Sequence, residues 1–152
     1  MKISEIDLKI INFCRKISIP VSRLALFVVF FWFGALKVIG LSPASQVVQN
    51  LFNETMPIME FSTFIVLFGL YECLIGILFL IRGAERVVIP LLLVHLITTL
   101  GPLVLLPGET WTGVMVPTLE GQYIIKNVLI VAAAIGVAAH LTPFKNNTTY
   151  PK

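Results

Sequence analysis

The chain has 152 residues, of which 57% are hydrophobic and only 12% charged, with a formal net charge of +3. A water-soluble domain carries about 25% charged residues, and a disordered chain is richer still in charge, so both classes are excluded. The expectation is an all-α integral membrane protein, and with no Lys/Arg cluster interleaved with aromatics, no nucleic-acid partner is expected.

Residues 1–20 come first. Ile3, Ile6, Ile10, Phe13 and Ile17 recur at spacings of three and four, with Lys2, Lys9 and Lys16 on a different stripe. This pattern predicts an amphipathic helix lying on the membrane surface, capped by Ser4 and ended by Pro20. The next apolar run has spanning length, so it reads as a retained helix rather than a cleaved signal peptide.

Residues 21–141 hold four apolar runs of spanning length: Val21–Leu41, Phe61–Ile81, Val87–Leu106 and Gln122–Leu141. A span needs ~20 residues, and lipid offers no partner to an open backbone, so a four-helix transmembrane bundle is expected. Apart from Lys37 and Lys126 within the spans, basic residues fall on one side only: Lys2, Lys9, Arg15, Lys16 and Arg23 before or at the opening of the first span, Arg82 and Arg86 between the second and third, and Lys145 and Lys152 in the tail, residues 142–152. The two remaining loops carry Glu54, Glu60, Glu109 and Glu120 and no Lys or Arg. The positive-inside rule then places both termini in the cytoplasm.

Ionisable residues inside a membrane are costly, which makes Lys37, Glu72, His95 and Lys126 the candidates for function. At ~1.5 Å per residue, Glu72 and His95 both lie ~16 Å below the outer ends of their spans, while Lys37 and Lys126 lie ~6 Å deep. Two midplane groups would thus sit beneath two lysines, with Glu120 and Gln122 at the same outer mouth. Gly69, Glu72 and Gly76 share one face of the second span, and small residues there admit a close neighbour. His95, Thr98 and Thr99 share a face of the third, followed by Pro102, and Asn127 adjoins Lys126.

Each residue also has an ordinary role: Lys37 and Lys126 snorkelling to headgroups, Glu72 and His95 as paired core residues, Thr98 and Thr99 bonding their own helix. Trp32, Trp111 and the phenylalanines near Trp32 fit interfacial or core packing. Cys14 and Cys73 form no Cys-x-x-Cys and read as reduced packing residues. No metal site is expected, because His140 lies at the far end of its span from His95 and Glu72 and three ligands do not meet at one depth.

Four short motifs stand in order: Trp32-Phe33-Gly34-Ala35-Leu36-Lys37, Gly69-Leu70-Tyr71-Glu72 through Gly76, Thr98-Thr99-Leu100-Gly101-Pro102, and Glu120-Gly121 through Lys126-Asn127. Together they resemble the YkgB-like (reactive-chlorine-resistance type) membrane proteins of the DoxX-like superfamily, over roughly residues 21–141. The resemblance implies a four-helix bundle in a bacterial inner membrane, a link to oxidative stress, and Lys37, Glu72 and Lys126 as family-type polar residues. His95 lies outside that pattern, and the outer loops are shorter than in the enteric relative.

Three functions compete. In the first, a quinone or similar small apolar molecule binds in the bundle. Glu72 exchanges a proton with it and His95 or Lys37 bonds a ring carbonyl, which requires a redox partner protein. In the second, the chain is a non-catalytic subunit or assembly factor. In the third, it is a small proton-coupled transporter working as a homo-oligomer.

Overall fold

The computed structural model describes residues 3–55 and 58–141. Within them, four helices are long and apolar enough to cross a membrane: Ser4–Val38, Phe61–Leu80, Glu85–Leu105 and Leu119–Ala138. The chain therefore has the makings of a multi-pass membrane protein. Lys2, Lys145, Lys152, Asn147 and the tail 142–152 lie outside the described residues.

Helix α1 runs unbroken from Ile3 to Val38 through Pro20. The sequence placed a boundary there, and the structure corrects it. Proline removes one backbone donor, which frees the carbonyl four residues back, at Lys16. Lys16 and Pro20 are both exposed, so the freed carbonyl keeps access to solvent and the helix continues. Residues 4–16 are exposed throughout, including Ile6, Ile10 and Phe13.

After α1 comes a short helix that the sequence reading treated as loop, α2 (Ser45–Thr55). Its Phe52 is buried and packs against Phe61 and Phe64, ring centroids 6.0 and 4.6 Å away. Helix α3 (Phe61–Leu80) follows, and then α4 (Glu85–Leu100), which gives way at Gly101 to the single turn α5 (Pro102–Leu105).

The second loop is also built. It contains α6 (Pro107–Thr110) and an antiparallel pair of short strands, β1 (Trp111–Gly113) and β2 (Val116–Pro117). The Trp111 indole donates to Leu103 O (2.9 Å), and Asn50 of α2 donates to Glu109 Oε1 (2.7 Å), tying the two loops together.

The last span is two helices, α7 (Leu119–Ile125) and α8 (Asn127–Ala138), with a turn at Lys126. The Thr118 hydroxyl caps α7 by accepting from Gly121 N (3.1 Å), which fills one of the donors a helix start leaves open.

The core is a single apolar cluster built by α1, α3, α4 and α8, centred on Phe30, Ile75, Phe79, Val88, Leu92 and Val137. The tightest contact is between α1 and α3. A Cβ on Gly34 would lie 2.5 Å from Gly69 O, and one on Gly69 would lie 2.6 Å from Gly34 O. Only glycine permits this approach, as small residues do at close helix crossings in membranes.

Candidate functional site

The Gly34/Gly69 crossing sets the site. It brings α1 so near α3 that Lys37 Cβ lies beside Gly69, one turn from Glu72. Lys37 Nζ then reaches Glu72 Oε2 at 2.5 Å. From α4, His95 Nε2 reaches the other oxygen, Oε1, at 2.9 Å. All three residues are buried, with relative exposures of 6% for Lys37, 4% for Glu72 and 4% for His95.

The sequence put Lys37 ~10 Å nearer the surface than Glu72, as helix rise gives it when the span ends are taken as level. The ends are not level. Helix α1 stops at Val38 and lies against the middle of α3, so the lysine bends inward to the carboxylate instead of snorkelling outward.

Rings enclose the cluster. Phe68 stacks on His95 with centroids 5.3 Å apart and planes 8° from parallel, and Phe30 meets it edge-on at 5.1 Å. Lys37 Nζ lies 5.6 Å from the Phe68 centroid, within cation–π range. Tyr71 is tilted against His95 at 6.2 Å and donates to Leu91 O at 2.6 Å. Phe64, Phe68 and Glu72 recur at spacings of four, so the helical period held the signal for this wall, although the sequence reading did not single it out.

Thr98 and Thr99 both donate to His95 O, at 2.7 and 2.5 Å, so their hydroxyls bond their own helix. Thr99 Oγ1 is also 3.3 Å from His95 Nδ1. A hydroxyl carries one proton and two acceptor sites. With its own proton given to His95 O, Thr99 Oγ1 keeps lone pairs beside Nδ1, so both ring nitrogens of His95 have a polar neighbour.

The remaining predicted residues do not join. Lys126 is exposed, with its Nζ 4.7 Å from the centroid of the Tyr123 ring on its own turn, and Glu120 and Gln122 are exposed as well. Asn127 is only half-buried. The expected outer mouth with two lysines over the midplane pair is therefore not formed. The turn at Lys126 points this cation along the surface of the bundle, where an aromatic face is within reach.

A second buried carboxylate escaped the sequence reading. Glu85, 4% exposed, pairs with Arg23 of α1 at the opposite end of the bundle. Arg23 Nη1 also donates to Phe79 O (3.2 Å) and Ile81 O (3.4 Å), carbonyls at the end of α3, the second of which also accepts from Ala84 N. From the sequence Arg23 marks only topology, and Glu85 is not singled out.

No protein-family model matches the chain, and no significant match is found among curated proteins or solved structures. The resemblance to the YkgB-like proteins thus rests on the four short motifs alone.

Proposed function

We propose that the chain is the membrane subunit of a quinone-linked redox system in a bacterial inner membrane, with both termini cytoplasmic, and that the Lys37–Glu72–His95 cluster exchanges a proton with the quinone. The observation that carries this reading is the buried cluster itself: a glutamate side chain held by a lysine and an imidazole, with a threonine hydroxyl 3.3 Å from the second ring nitrogen. Reduction of a quinone to a quinol takes up two electrons and two protons. The electrons come from a partner redox protein. One proton comes from His95, directly or through Glu72, and the second from bulk water by re-protonation of the same pair.

The ring stacked on His95 supports the choice of ligand, because a flat six-membered ring already fits against the imidazole. A quinone enters as the Phe68 side chain turns aside, and its carbonyl meets a ring nitrogen or the lysine. The oxidative-stress link implied by the family resemblance fits the same chemistry.

A second reading is favoured by a specific observation. Both Glu72 oxygens already have protein partners, as expected of a cluster that fixes bundle packing in a non-catalytic subunit or assembly factor. The transporter reading needs an anion-attracting mouth of Lys37 and Lys126, and Lys126 sits on the bundle surface instead.

Mass spectrometry of organic extracts from gently purified wild type and Glu72→Gln, against an empty-vector preparation, tests the choice. Enrichment of a quinone in the wild type, lost in a folded Glu72→Gln protein, is the expected result. A wild type with no enriched small molecule and a stoichiometric protein partner overturns the quinone reading in favour of the subunit reading.

A further inference from the structure

The basic end of the bundle carries a cleft of about 220 Å³ lined by Ile19, Pro20, Arg23, Leu80 and Arg82. It lies where α3 ends, the level at which a spanning helix meets the headgroups. Arg23 forms one wall and is held by three contacts: the Glu85 carboxylate and the carbonyls of Phe79 and Ile81. Those contacts do two things. They fix the guanidinium in place, and they cancel the negative end of the α3 dipole, which would otherwise repel an anion.

Glu85 offsets the Arg23 charge, so the sign of the cleft is set by Arg82, which is exposed. The remaining lining is apolar, with Leu80 and Pro20 exposed at the rim. Two guanidiniums beside an aliphatic rim match a phosphate attached to a hydrocarbon chain. Basic pockets between spanning helices bind such headgroups.

We propose that this cleft binds a phosphate group, that of an anionic phospholipid, with the phosphate on Arg82 and the outer edge of Arg23 and an acyl chain along Ile19 and Leu80. The chemistry is shared with free phosphate. The site lies apart from the Lys37–Glu72–His95 cluster and does not depend on the quinone reading.

Native mass spectrometry of the detergent-solubilised full chain, titrated separately with phosphatidylglycerol, phosphatidylcholine and inorganic phosphate, tests it. The expected result is one retained phosphatidylglycerol per chain, preferred over phosphatidylcholine. In Arg82→Gln its affinity falls about fivefold, the amount one arginine near a membrane surface supplies. Arg15→Gln, an equal charge loss on exposed α1 outside the cleft, leaves the affinity unchanged. Arg82 is exposed, so its variant is expected to keep the wild-type melting temperature, which is measured alongside. Displacement of the lipid by inorganic phosphate assigns the site to the free anion. Persistence of the lipid under phosphate assigns it to the headgroup. Equal retention of the two lipids overturns the proposal, and so does an equal loss in Arg82→Gln and Arg15→Gln.

Discussion

Two buried glutamates pair with two cations of the same helix, and they are held differently. Glu72 has a partner on each oxygen: Lys37 from α1 on one and His95 from α4 on the other. Glu85 gives one oxygen to Arg23, while its Oε2 is buried with no hydrogen-bond partner among the described residues. Arg23 turns its remaining donors to main-chain carbonyls, whereas Lys37 has only the carboxylate and the Phe68 face among its described contacts. The first pair closes three helices around a titratable ring. The second also joins α1, α3 and α4, but it does so where α3 ends and α4 begins, through main-chain carbonyls. The two glutamates are equally buried, whereas Arg23 is more exposed than Lys37, and the third partner differs: an imidazole in one and peptide carbonyls in the other.

The largest effect that would break this comparison is expected at Glu72. Glu72→Ala leaves Lys37 buried without its counter-charge, at a cost of about 3–5 kcal/mol. Thermal or denaturant unfolding in detergent measures it. The paired replacement Lys37→Met with Glu72→Leu removes both charges and is expected to regain most of that loss. A double variant as unstable as the single would show that the ion pair is not the source.

Next comes the glycine crossing that builds the cluster. Gly34→Leu drives a side chain into the α3 backbone at Gly69 and Cys73, and overpacking of this kind costs about 1–3 kcal/mol. The expected sign of functional damage is loss of the Lys37–Glu72 contact, read as a Glu72 carboxylate band that shifts in the infrared spectrum. An unshifted band would mean that the lysine reaches Glu72 without the close approach.

Smaller effects sharpen the contrast. Glu85→Gln keeps a carbonyl for Arg23 and places an amide where the carboxylate left an unpartnered oxygen, so it is expected to cost less than about 1.5 kcal/mol. Glu72→Gln, which surrenders an acceptor that two cationic donors can share, is expected to cost more in the same unfolding assay. At the bottom of the scale, Lys126→Gln loses one exposed cation–π contact worth about 0.5–1 kcal/mol and is expected to leave ligand content unchanged. A ligand lost with Lys126 would return this residue to the site.

What the sequence made legible follows from physical scale. Four spans were readable because lipid requires long apolar helices, and the four found in the structure overlap the four expected. Glu72 and His95 were readable as a pair because each lay at the same depth on its own helix. Lys37 was assigned the right residue type and the wrong depth, since rise per residue measures position along one helix but not the offset between two. That offset is set by Gly34 against Gly69, a contact between helices that no single-helix pattern contains. Lys126 failed for a related reason: its depth was plausible, but direction around the helix decides contact, and the turn there sends it outward. The built loops, α2 and the β1/β2 pair, were missed because their segments are short and their order comes from Asn50–Glu109 and Trp111–Leu103 contacts made across the fold. Pro20 shows the limit of a local rule, since a proline with an exposed turn before it does not end a helix.

The central claim is that Lys37, Glu72 and His95 act as one unit through the two oxygens of the Glu72 carboxylate. Solid-state NMR of ¹⁵N-histidine protein in lipid, in a His140→Asn background so that His95 alone reports, tests it directly. The account predicts that the Nε2 resonance of His95 moves in Glu72→Gln, because the carboxylate oxygen 2.9 Å from Nε2 is replaced. A His95 spectrum that is the same in wild type and Glu72→Gln would contradict it.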